Sequence, residues 1–129
     1  MITPTSHTFN VYYSPDGRDV RWVFDGANDG ATCKVLVNDE IVFSFQPEAN
    51  YSGTLDQCVL ITGNEQQGET GSPFGTGKVV NLNNNGKLHV GGQKGTWGFS
   101  VSFSVTHTDG TTGFYFVPDP ELQVGSIRP

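Results

Sequence analysis

The run Phe99-Ser100-Val101-Ser102-Phe103-Ser104-Val105 restricts this chain more than any other stretch. Apolar and small polar residues alternate without a lapse, and only an extended strand sends every second side chain to the same side. One face must therefore enter a core while the other stays polar. The period of two recurs in shorter runs: Thr8 to Tyr13, Val20 to Phe24, Cys33 to Val37, Glu40 to Gln46, Val59 to Thr62, Val79 to Leu82, Lys87 to Val90, Phe114 to Val117 and Glu121 to Val124. Turn residues separate these runs at roughly 8–12-residue intervals, the spacing of a sandwich or barrel. Ser14-Pro15-Asp16-Gly17 reads as a β-turn, and Asn38-Asp39, Asn83 to Gly86 and Asp109-Gly110 read as hairpin turns. Gly63 to Gly77 is the longest irregular loop and Gly91 to Gly98 a second one. The sequence predicts a single all-β domain over residues 1–129, an antiparallel β-sandwich.

Composition agrees and narrows the partners. Among 129 residues, 17 are Gly and 9 are Phe, too aromatic for a disordered chain and too rich in glycine for a helical bundle. The net charge of −6, with no basic stretch to interrupt it, argues against nucleic acid. No window approaches the roughly 18 apolar residues of a membrane helix. Met1 to His7 lacks the basic and apolar regions of a secretory signal, so a cytoplasmic setting is expected. There Cys33 and Cys58 are read as buried thiols. An unpaired edge strand would support a homodimer.

Most candidate sites fail on spacing. Gly75-Thr76-Gly77-Lys78 would need Gly where Ser72 stands and Ser or Thr where Val79 stands to be a phosphate loop. His7, His89 and His107 do not sit at metal-ligand spacing. Asp25, Asn28 and Asp29 crowd one turn but lack the oxygen pattern of a calcium loop. Asn50-Tyr51-Ser52 spells a glycosylation sequon but has no secretory signal to give it meaning. No metal or cofactor is expected. Trp22 lies in an alternating run and reads as core. Trp97, between Gly95-Thr96 and Gly98, reads as the exposed tryptophan and as a candidate binding residue.

Asp119-Pro120 carries chemistry of its own. An Asp carboxyl can reach its own main-chain carbonyl carbon and close a cyclic anhydride, with the Pro nitrogen leaving. A tertiary amide twists more readily than a secondary one, which makes that nitrogen easier to protonate. Attack within one residue removes an entropic cost worth roughly 7–11 kcal/mol in good geometry. The fold would have to add a twist and a proton donor.

Trp97 to Phe103, followed by Phe114-Tyr115-Phe116-Val117-Pro118-Asp119-Pro120-Glu121, resembles the DP-EP family of small bacterial proteins. The family's second proline after the glutamate is absent here, where the segment reads Asp-Pro-Glu-Leu. The resemblance implies a β-sandwich that cuts its own chain between Asp119 and Pro120, in the manner of an aspartic peptidase acting in cis. The segment 120–129 would remain docked as a strand.

With Asp109-Gly110 as a two-residue turn, Phe103 faces Phe116 and Val105 faces Phe114 on the core side. Asp119 then faces Ser100 on the opposite side, together with Tyr115 and Val117. His107 belongs roughly 20 Å or more away, at about 3.4 Å per residue. Glu121, two residues from Asp119 in an extended chain, projects to the same side, and two carboxyls so close would share a proton. The catalytic candidates are thus Asp119, Pro120, Glu121 and Ser100. The competing reading is a non-catalytic binding or structural module in which Trp97 and the Gly63–Gly77 loop form the contact surface.

Overall fold

The computed structural model describes residues 5–14, 19–48, 53–65, 72–74, 78–83, 86–117 and 120–125. Among them are eleven strands and no helix: β1 Ser6–Tyr13, β2 Val20–Phe24, β3 Asn28–Asp29, β4 Thr32–Leu36, β5 Glu40–Pro47, β6 Thr54–Glu65, β7 Val79–Asn81, β8 Lys87–His89, β9 Gly95–Thr106, β10 Thr112–Val117 and β11 Glu121–Gly125. The first sheet runs β2-β1-β5-β8. The second runs β3-β4-β11-β9-β6-β7, with β10 also paired to β9. The expected sandwich is present. Most pairings are antiparallel, while β1 with β5 and β4 with β11 run parallel.

Alternation decides which side chains meet between the sheets. Phe9, Val11 and Tyr13 of β1 and Ile41 and Phe43 of β5 point inward from the first sheet. Leu60, Val101, Phe103, Val105, Leu122 and Val124 answer from the second. Aromatic rings cross the gap. Phe9 lies 5.6 Å from Phe99, and Tyr13 lies 5.2 Å from Phe103 and 5.3 Å from Tyr115. Burying each such ring contributes about 1.5–3 kcal/mol, so this layer is the main source of stability. Part of the long loop contributes too: Pro73 and Phe74 are buried, and the Pro73 carbonyl accepts from Gly91 N at 2.8 Å.

Two of the expected hairpins are crossings between sheets. The segments flanking Asn38-Asp39 are β4 and β5, which belong to different sheets. The turn itself spans Leu36 to Asp39, with Asp39 N donating to Leu36 O at 3.1 Å and Asn38 at a positive φ of 70°. The segments around Asn83 to Gly86 are likewise divided, because β7 pairs with β6 and β8 with β5. Asn83 Oδ1 accepts from Cys58 N, and Gly86 O accepts from Phe43 N at 2.7 Å. Polar groups in these corners satisfy backbone of the strands they pass, which a free hairpin turn would not do. Residues 15–18, 50–52, 75–77 and 84–85, which carry parts of other sequence-based expectations, lie outside the described residues.

The third turn is a true hairpin, but longer than expected. His107 N donates to Thr111 O at 2.8 Å and Gly110 N to His107 O at 3.0 Å, with Gly110 at φ 89°. That is a three-residue loop with a bulged glycine. One extra loop residue slides the register, so Tyr115 faces Phe103 and Phe114 faces Ser104. The core face of β10 is therefore Tyr115 and Val117, while Phe114 and Phe116 are 82% and 64% exposed, the reverse of the expectation.

Two measurements check this packing. Tyr115→Ala should cost about 3 kcal/mol in urea unfolding, whereas Phe114→Ser should stay within about 0.5 kcal/mol of the wild type. Equal losses would restore the other register. Cys33 and Cys58 are free and buried, and burial pushes both thiols up to about 12. Neither should react with a disulfide reagent at pH 8 until the protein is unfolded.

Candidate functional site

The site is built on the second edge of β9. Its first edge is taken by β6, from the Thr54–Thr106 pair to the Glu65–Trp97 pair. The other edge is shared end to end by β10, up to the Val117–Val101 pair, and β11, from the Glu121–Gly98 pair onward. Between those two pairs the sequence has three residues, 118 to 120, against two on β9, Phe99 and Ser100, so the register along β9 differs by one between Val117 and Glu121. Pro118 and Asp119 lie outside the described residues.

The chain is held firmly immediately after Asp119. Pro120 is fully buried, and its carbonyl accepts from Phe99 N at 3.0 Å. Glu121 N donates to Ala31 O at 2.8 Å, and Thr32 Oγ1 donates to Glu121 Oε1 at 2.9 Å. Leu122 and Val124 are 1% and 2% exposed, and β11 pairs on both sides, parallel to β4 and antiparallel to β9. Within the segment 120–129, Glu121–Gly125 form an interior strand, while residues 126–129 lie outside the described residues.

Ser100, Pro120 and Glu121 line one surface groove of about 530 Å³, together with Ile61, Thr62, Gly63, Gly98 and Phe99. Gly98 stands opposite Glu121, and a Cβ there would meet open space. At the inner side, Thr62 Oγ1 is buried without a hydrogen-bond partner among the described residues. The structure thus gathers three of the four catalytic candidates. It does not gather Trp97, which lies within β9 at 0% exposure and belongs to the core. The flanking glycines that made it look like loop are strand positions. Thr32 and Ala31 were not legible as neighbours, since they are far from Glu121 in sequence and the parallel β4–β11 pairing joins them.

A second polar cluster sits at the other end of β4. Asp39 is 4% exposed, and its carboxylate accepts from Thr5 N and Leu36 N at 3.0 Å and from His7 Nε2 at 2.9 Å. Burial alone would raise this carboxyl, but the two backbone donors and His7 together hold it below the ordinary carboxylate range. His7 is therefore a partner of Asp39 rather than a lone histidine. A groove of about 460 Å³ lies beside the pair, lined also by Lys34, Gln123 and Gly125. His107 stays at the far end of the β9–β10 hairpin, as expected. Among the described residues no three His, Cys, Asp or Glu side chains are grouped to hold a metal ion, and no helix is long and apolar enough to cross a membrane. A scan against protein-family models and a search of curated proteins find no match to this chain.

The Asp39 cluster makes a pH prediction. Because the folded state holds the carboxyl low, its contribution is complete above the unfolded value near 3.9 and is lost as pH falls through the lower folded value. Asp39→Ala should lower stability by about 2–4 kcal/mol at pH 6 by leaving buried N–H groups unpaired. The gap to wild type should narrow below about pH 4. A gap that stays constant down to pH 2 would contradict this role.

Proposed function

We propose that this protein cleaves its own Asp119-Pro120 bond, once per chain, by an aspartic-peptidase-like reaction in cis. The observation that supports this best is the one-residue register difference between β10 and β11 along β9, across the span that contains that dipeptide, with Val117 paired on one flank and Pro120 hydrogen-bonded on the other. From Val117 to Pro120 the chain has one residue more than the stretch of β9 between their partners, Val101 and Phe99. A tertiary amide is the peptide bond that yields most easily to such a mismatch.

In the reaction, an Asp119 carboxylate oxygen attacks the Asp119 main-chain carbonyl carbon. The C–N bond to Pro120 breaks, the Pro120 nitrogen takes a proton, and a cyclic anhydride remains. Water from the groove then opens the anhydride to two carboxyl groups. Glu121, oriented by Thr32, or the hydroxyl of Ser100 supplies the proton. The anchored β11 keeps the new N-terminus in place, so the cut chain stays assembled. The free thiols Cys33 and Cys58 are in keeping with a reducing, cytoplasmic setting.

A second reading, a non-catalytic binding module, no longer rests on Trp97. It is favoured instead by the exposed Phe114 and Phe116, which line a trough of about 470 Å³ on the outer face of the second sheet.

Denaturing intact-mass spectrometry on fresh protein, and after incubation at mildly acidic pH, separates the two. The cleavage reading expects fragments ending at Asp119 and beginning at Pro120. Asp119→Asn should abolish them, and Glu121→Gln should slow their appearance by about 100-fold or more if it is the acid. One persistent full-length mass would sink self-cleavage and leave the binding module.

A further inference from the structure

The outer edge of β10 and the trough beside it are independent of the reaction just described. Their geometry follows from the hairpin. His107 and Thr111 form a hydrogen-bonded pair, and hydrogen-bonded and non-bonded pairs alternate along an antiparallel ladder. Thr112, Phe114 and Phe116 therefore direct their N–H and C=O groups away from β9, and β9 is the only strand that β10 pairs with among the described residues. β2 comes alongside from the other sheet but pairs only with β1. The edge from Thr112 to Val117 carries no charge, no proline and no bulge, three of the devices that block strand addition. Its outward side chains, Phe114 and Phe116, are the most exposed aromatic rings in the described fold.

We propose that β10 is the interface of a homodimer, in which two copies join edge to edge as one continuous sheet. Two features select a second copy as the occupant. An antiparallel pair of identical strands closes on its own two-fold axis, so the edge is complementary to itself. The trough is lined by Gln57, Val59, Ser102, Ser104, Phe114 and Phe116, without a charge. Two chains of net charge −6 can thus approach there with no like charges at the seam. An interface of two phenylalanines and one strand edge is smaller than the roughly 800 Å² per partner of a standard one. The dimer is accordingly weak and concentration-dependent.

The register is fixed by the same alternation. Outward-directed residues must pair with outward-directed residues, and the fullest overlap sets Phe114 opposite Phe114 of the second copy. Phe116 then faces Thr112 across the axis. All these side chains share the outer face, so the phenylalanines of both copies cover one another.

Cross-linking and sedimentation test this on the full chain. Phe114→Cys should form a disulfide-linked dimer at least tenfold faster than Val79→Cys, another exposed apolar position, on β7 at 66% exposure. A hydrogen-bonded antiparallel pair places its Cα atoms about 5.5 Å apart, within disulfide reach. Cys33 and Cys58 are buried and do not compete. Sedimentation equilibrium of the wild type should show a dimer that grows with concentration, and Phe114→Lys should remove it while leaving the unfolding midpoint unchanged. A wild type that stays monomeric at millimolar concentration would overturn the proposal. So would a dimer that survives Phe114→Lys, or equal cross-linking of the two cysteine variants, since each places association elsewhere.

Discussion

The two edges of β9 organise the molecule. One long strand accepts β6 along its whole first edge and two successive strands, β10 and β11, along its second. Its inward side chains, from Trp97 through Val105, supply the floor of the core. Among the described residues β4 reaches the second sheet only through β11, and the short β3 only through β4. Disturbing the β9–β11 contact would therefore detach the strands at one end of that sheet as well. In the first sheet β1 plays the linking part, paired with β5 from Ser6 to Tyr13 and with β2 from Phe9 to Tyr13.

What the chain's alternation dictates was readable without coordinates. The Phe99–Val105 run is a strand with Val101, Phe103 and Val105 inward, and the shorter runs are strands as well. The corners were harder. Asn38 and Asn83 have the side chains of hairpin turns, but such residues serve equally well where a chain leaves one sheet for the other. The deciding partners, Thr5 for Asp39 and Cys58 for Asn83, are distant in sequence. Asp109-Gly110 is the instructive failure. Two-residue and three-residue loops can share that dipeptide, and a difference of one residue exchanges the faces of β10. Amphipathic pattern could not arbitrate, because Phe114-Tyr115-Phe116-Val117 is apolar on both faces.

The candidate site divides in the same way. Pro120, Glu121 and Ser100 were near one another on any hairpin register, since they are close along the chain or across one turn. Thr32 and Ala31 were out of reach, because no local pattern announces a parallel pairing between strands so far apart. Trp97 was misplaced because glycine on each side reads as flexibility, whereas here Gly98 keeps space open on the outer face while the indole fills the inner one. The reversal of β10 exposed two phenylalanines that the sequence had assigned to the core, and with them a surface no motif would have marked.

β11 is threaded between two strands, one of which, β4, precedes it by most of the chain. In a growing polypeptide every partner of β11 is therefore synthesised before it, and the second sheet stays divided until that segment arrives. Parallel pairing of strands so remote in sequence is also slow to form, because a long loop must close first. The surroundings that pin Pro120 and Glu121 consequently assemble at the last stage of folding. Chemistry that depended on those surroundings, the proposed cleavage included, would have to wait until the architecture is complete, with the fold itself as the clock.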